Sequence, residues 1–159
     1  MHDFQIALYA EVSSDILALS LSDRNRYLAN ARRHYREQAG YSVVVARLAQ
    51  NAVFKAMIGE VQILPSEVIL PLIDYERQRE IVEQFIEDLR DESFRSLTAE
   101  RQLLMYSDYL DMLGLLEDLA REAVTALANS LNIPAEDRPS LPSASAVDEV
   151  SAGRREDES

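Results

Sequence analysis

The side chains best equipped for chemistry in this 159-residue chain are arginines and carboxylates. The stretch RNRYLANARRHYRE, residues 24–37, holds Arg24, Arg26, Arg32, Arg33 and Arg36, inside a chain whose formal net charge is −12. A guanidinium is planar, permanently charged and carries a rigid fork of donors. It therefore pairs bidentately with carboxylate or phosphate and stacks on aromatic rings, but it does not exchange protons near neutral pH. The carboxylates form a second group. At 100° per residue, Glu76, Glu80, Glu83, Glu87 and Asp91 fall within about 80° of arc on one helix. Such a stripe suits a basic partner. Its charges, spaced about 5–6 Å per turn, also imitate a row of nucleic-acid phosphates.

Groups that make or break covalent bonds are scarce. There is no cysteine, which excludes disulfides, thiol nucleophiles and cysteine-based zinc or iron–sulfur sites. The two histidines are His2, beside the first residue, and His34, set among the arginines. Neither lies three residues after a glutamate, as a di-iron bundle requires. The nucleophile elbow, the phosphate-binding P-loop, the dinucleotide fingerprint and the calcium-binding loop are all missing. The expectation is a non-enzyme with no catalytic residue, cofactor or metal.

The elements that position these charges read as helices. Phe4, Leu8, Val12, Ile16 and Leu19 recur at helical spacing and predict a first helix over about 4–20. A second, about 23–38, follows Ser22 as N-cap and stops at Gly40. Its core face is Leu21, Leu28, Ala31 and Tyr35, which turns Arg26, Arg32, Arg33 and Arg36 to solvent. Residues 42–59, SVVVARLAQNAVFKAMIG, are apolar nearly all round and predict a buried third helix. Val43, Val44 and Val45 would also suit the start of a strand, but the 3–4 spacing of Leu48, Ala52, Val53, Ala56 and Met57 favours helix. A connector over 60–71 is broken by Pro65 and Pro71, with Pro71 in the first turn of the fourth helix. That helix, about 72–92, is expected to bury Tyr75, Ile81, Val82, Phe85, Ile86 and Leu89 and to expose the acidic stripe. A fifth runs from Thr98 to about Leu131, straight through Gly114.

The fold class is therefore all-α: a four- to five-helix bundle over residues 1–131 with a long C-terminal helix. Residues 132–159, rich in Pro, Ser and acids, predict an unstructured or partner-docked tail. No apolar run reaches the roughly 20 residues of a membrane span, and the N-terminus lacks the basic region of a secretion signal. The expected location is cytoplasmic, or a particle assembled there.

Charge is polarised along the chain: net +2 over residues 1–59, −10 over 60–131 and −4 over 132–159. Polarity on a helical scaffold without catalytic groups points to protein–protein interaction or assembly by charge-complementary docking. The basic face (Arg26, Arg32, Arg33, Arg36) would meet acidic surface on a protein partner, including the stripe of a second copy. That contact is heterologous and favours rings or stacks over two-fold dimers. The alternative is nucleic-acid binding through the arginine helix, or acidic mimicry of nucleic acid. No RNA-recognition or zinc-finger signature accompanies it.

Overall fold

The computed structural model describes residues 2–19 and 23–140. Among them lie six α-helices and two 3-10 turns: α1 (His2–Leu19), α2 (Arg24–Glu37), α3 (Ala52–Met57), a 3-10 helix (Ile58–Ile63), α4 (Ser66–Arg90), α5 (Glu92–Arg95), α6 (Ala99–Ser130) and a 3-10 turn (Ala135–Asp137). The described residues contain no strand, and no single helix among them is long and apolar enough to cross a membrane. The all-α bundle read from the sequence is the fold.

The longest elements make the core. Thr98 caps α6, its hydroxyl accepting from Arg101 N. The spacing of Tyr109, Leu113, Leu116, Ala120, Ala123 and Leu127 then buries one continuous stripe through Gly114. The short α5 turns the chain, so α4 returns antiparallel to α6, and the Gln78 amide donates to Met112 O at their middles. Helix α1 lies along α6 with its start near the α6 end, where Gln5 reaches Ser130. Leu8, Ile16, Val68, Val82, Leu116 and Leu127 are completely enclosed between these three helices. At about 1.5–3 kcal/mol for each such side chain, this α1–α4–α6 unit carries most of the hydrophobic stabilisation.

Three sequence expectations are corrected here. First, residues 41–51 are not helical. They form an extended strap, and only 52–57 make the α-helical part of the expected third element. The β-branched run explains this: Val43 and Val45 are buried while Val44 is 75% exposed, a period of two instead of 3.6. Among the described residues the strap has no strand partner. Side chains satisfy its backbone instead: Val43 N donates to Tyr35 Oη at 3.0 Å, and Arg90 Nη1 donates to Val45 O at 2.6 Å.

Second, α4 begins at Ser66, so Pro71 lies inside the helix and not in its first turn. With no N–H, Pro71 forfeits the ladder bond to Glu67 O. Third, the chain stays ordered past residue 131. Asn132 takes a left-handed conformation (φ 55°), with Ile133 N bonding Ala128 O and Asn132 N bonding Asn129 O, a Schellman stop. Arg138 then clips the chain back onto Ile133 O and Asn129 Oδ1. The rest of the expected tail, 141–159, lies outside the described residues.

Candidate functional site

The arginine helix forms as expected. Asp23 is its cap in place of Ser22, which lies outside the described residues, and its carboxylate accepts from Arg26 N at 2.9 Å. Beyond the α2 end, Gly40 adopts φ +75°, a left-handed value that a Cβ would penalise. Only Ala31 is fully buried in α2, with Leu28 and Tyr35 packed beside it against the core. This narrow footing on α6 leaves Arg26, Arg32, Arg33 and Arg36 exposed. Arg24 forms an ion pair with Asp111 of α6. Among the described residues, none of the other four arginines meets a carboxylate. His34 packs against the Tyr41 ring at 5.2 Å, which in turn meets Tyr35 edge-on.

The acidic stripe is placed differently from the expectation. Glu80, Glu87 and Asp91 are exposed and Glu83 half-buried, but Glu76 is buried at 5% exposure. The buried arc of α4 is rotated by about 50° from the one its aliphatic residues suggest. The rotation takes Glu76 and Arg79 inward and leaves Ile81, expected in the core, 53% exposed. Phe85 is only partly buried. The cause is that α4 also faces α1 and the strap, which offer polar partners on that side.

Most of the stripe is engaged within the chain. Arg47 of the strap grips Glu87 with both ends of its fork, at 2.6 and 3.1 Å, and this holds the Glu87 carboxyl below its ordinary pKa. Asp91 accepts from Ser93 N and caps α5, and its pKa is likewise lowered by the Ser93 hydroxyl and backbone. Glu83 lies 3.4 Å from Arg79 Nε. Only Glu80 of the five has no partner among the described residues. No member of the basic face pairs with a member of the stripe.

A cluster that sequence reading missed sits at the centre. Arg79 is 1% exposed, and its Nη1 donates to Asp15 Oδ2 at 2.9 Å. The Tyr75 hydroxyl also donates to that Asp15 oxygen. Burial, reinforced by Asp15, pushes the Tyr75 pKa far above its ordinary value, so the phenol stays a donor. Burial works against the Arg79 charge, but Tyr75, Asp15 and Glu83 outweigh it and its pKa is raised. The pairing is incomplete: Nη2 and Nε are buried without a hydrogen-bond acceptor among the described residues. An unmade bond at a charged buried donor costs upwards of about 1–3 kcal/mol.

No protein-family model, curated protein or solved structure matches this chain. Its own side chains are therefore the guide to what it does.

One turn before Arg79, Asn51 Nδ2 donates to Glu76 Oε2 at 2.6 Å. Burial raises the Glu76 pKa to about 7. Asn51 is thereby drawn off its capping position, and Glu11 of α1 caps α3 instead, accepting from Val53 N and Phe54 N at 2.9 and 3.1 Å. These bonds tie α1, the strap, α3 and α4 into one unit. Among the described residues no three His, Asp or Glu side chains gather to hold a metal ion.

Proposed function

We propose that this chain is a non-catalytic interaction protein that docks an acidic protein surface through the outer face of α2. One observation carries the proposal: Arg26, Arg32, Arg33 and Arg36 project from one helix and have no carboxylate partner among the described residues, in a chain of net charge −12. An acidic protein that leaves four arginines uncompensated on one face holds a ready-made anion-binding surface. Arginine is favoured at interfaces because its fork pairs bidentately and stacks. The stripe of a second copy is a poor mate, since Glu76 is buried and Glu87 and Asp91 are held in-chain. The partner is therefore a different acidic protein, and the product is a hetero-complex instead of a ring or stack of copies.

The test compares the natural chain with Arg33→Glu/Arg36→Glu. Binding to a glutamate-rich helical peptide and to mixed-sequence RNA and DNA is titrated against rising salt, with light scattering for self-association. Both sites are exposed, so folding stability should move by no more than about 0.5 kcal/mol. The proposal expects peptide binding that the reversal weakens at least tenfold. Steep, arginine-dependent binding to RNA or DNA would instead assign the face to nucleic acid. Binding that ignores the reversal would make α2 plain solvated surface.

A further inference from the structure

Helix α4 has a face that neither the core nor docking through α2 uses. Arg77, Ile81, Gln84 and Asp88 stand four, three and four residues apart, so at 100° per residue they fall within about 60° of arc. Steps of four and three are the spacing of a coiled-coil seam. All four side chains are exposed, Ile81 at 53%. Ile81 lies about 160° round the helix from Arg79, whose bond to Asp15 marks where α1 packs, so the seam points away from the bundle. Phe85, part-exposed, flanks it on one side and Glu80 on the other. Its charged ends are unmatched. Among the described residues Arg77 meets no carboxylate, and the Asp88 carboxylate accepts only a long bond, 3.4 Å, from the Gln84 amide.

We propose that this face joins two copies of the chain in a two-fold dimer by antiparallel pairing of α4, with an Arg77–Asp88 ion pair at each end and Ile81 and Phe85 covered between them. The order of the side chains selects a second copy, because an isologous contact needs a patch that complements itself. A two-fold axis midway between Ile81 and Gln84 lays Arg77 against Asp88 of the second copy, Asp88 against its Arg77, and Ile81 against its Gln84. A parallel alignment would oppose like charges at both ends. Glu80 falls opposite Glu87, whose charge Arg47 already balances. Asp74, one turn before Arg77, falls where the second α4 has ended at Arg90. Three turns of helix cover much less than the roughly 800 Å² per partner of a standard interface, so the dissociation constant is expected on the order of 100 µM. None of the α2 arginines takes part.

The experiment follows the mass of the full chain by sedimentation from about 10 µM to about 1 mM, in about 150 mM salt, which screens the repulsion of two acidic chains beyond about 8 Å. The natural chain should pass from monomer to dimer across that range. Arg77→Asp and Asp88→Arg should each weaken association at least tenfold. The two combined in one chain should restore it, because the exchange reverses the ends and keeps the pairs. Asp88→Arg gives the sharpest reading. It moves the net charge of −12 toward zero, so relief of general repulsion would strengthen association where loss of the seam weakens it. Both positions are exposed, and circular dichroism checks that each variant keeps its helices. Arg33→Glu/Arg36→Glu should dimerise as the natural chain does, and its failure would mean that copies meet through α2. A natural chain that stays monomeric, an Asp88→Arg variant that dimerises unchanged, or an exchange that restores nothing would each overturn the pairing.

Discussion

In α2 four arginines stay outside and meet no carboxylate among the described residues, while in α4 one arginine is drawn into the core and is met by Asp15, Tyr75 and Glu83. The two helices start from similar material, each amphipathic with charge on one side. They diverge because of what each packs against. Helix α2 has a single neighbour of consequence, α6, and buries a narrow strip. Helix α4 is covered by α6 on one flank and by α1 and the strap on the other, so its buried arc widens past its aliphatic residues. A charge that would remain in solvent on a one-sided helix must then enter, and it enters only with a counter-charge.

The sharpest way to break this comparison is to remove that counter-charge. Asp15→Ala leaves Arg79 buried without its carboxylate, and breaking a buried pair from one side costs about 3–5 kcal/mol. Chemical denaturation should show a loss of that size. By contrast, Arg33→Glu/Arg36→Glu should barely move the midpoint. If Asp15→Ala costs under about 1 kcal/mol, Arg79 is solvated and the two helices do not differ.

A second test uses one residue type on opposite sides of α4. Ile86 is 1% exposed and Ile81 is 53% exposed. Ile86→Ala should cost about 2–5 kcal/mol, through lost transfer energy and the cavity left behind. Ile81→Ala should cost under about 1 kcal/mol. Equal losses would return the buried face to where the aliphatic pattern alone puts it. The same rotation leaves Phe85 part-exposed, so Phe85→Ala should fall below the 3–5 kcal/mol of a fully enclosed phenylalanine.

The sequence makes some of this legible, and the reasons differ by element. Helix α6 was readable end to end because Thr98 caps it, an uninterrupted apolar stripe runs along it, and one packed face dominates. The arginine face of α2 was readable because nothing competes for it. The strap was misread because its alanines and valines satisfy helical and alternating patterns alike. The choice fell to Tyr35, Arg90 and Gln102, whose side chains meet the strap only in three dimensions. The buried cluster did leave a trace: at 100° per residue Asp15 falls at the edge of the arc of Leu8, Val12, Ile16 and Leu19, about 20° beyond Leu8. An acid on an apolar stripe asks for a buried cation, and Tyr75 and Arg79, four apart on α4, answer it. Which of the chain's arginines would do so was not written in local spacing.

Glu76 extends the comparison to pH, because no α2 side chain is buried as an acid. Its carboxyl faces Asn51 from the strap, Glu11 and Asp15 from α1, and Arg79 on its own helix. The Asn51 amide donates to one oxygen, while Glu76 Oε1 and Asn51 Oδ1 are two buried acceptors without a donor among the described residues. Protonation supplies the missing O–H. Burial accordingly raises the pKa from 4.5 to about 7 in the folded protein. The native state thus holds this proton more tightly than the unfolded chain. The stabilisation is complete below the unfolded value, declines as pH rises, and is gone once pH passes the folded one. The full swing is about 3 kcal/mol at most, at 1.36 kcal/mol per unit. Glu76→Gln puts an amide of the same shape in place of the carboxyl and cannot ionise. Denaturation midpoints at pH 5, 6, 7 and 8 should show the variant gaining on the natural chain by about 1–3 kcal/mol across that range. A constant difference would mean that Glu76 ionises as a surface acid does, and that α4 admits charge only as the Arg79 pair.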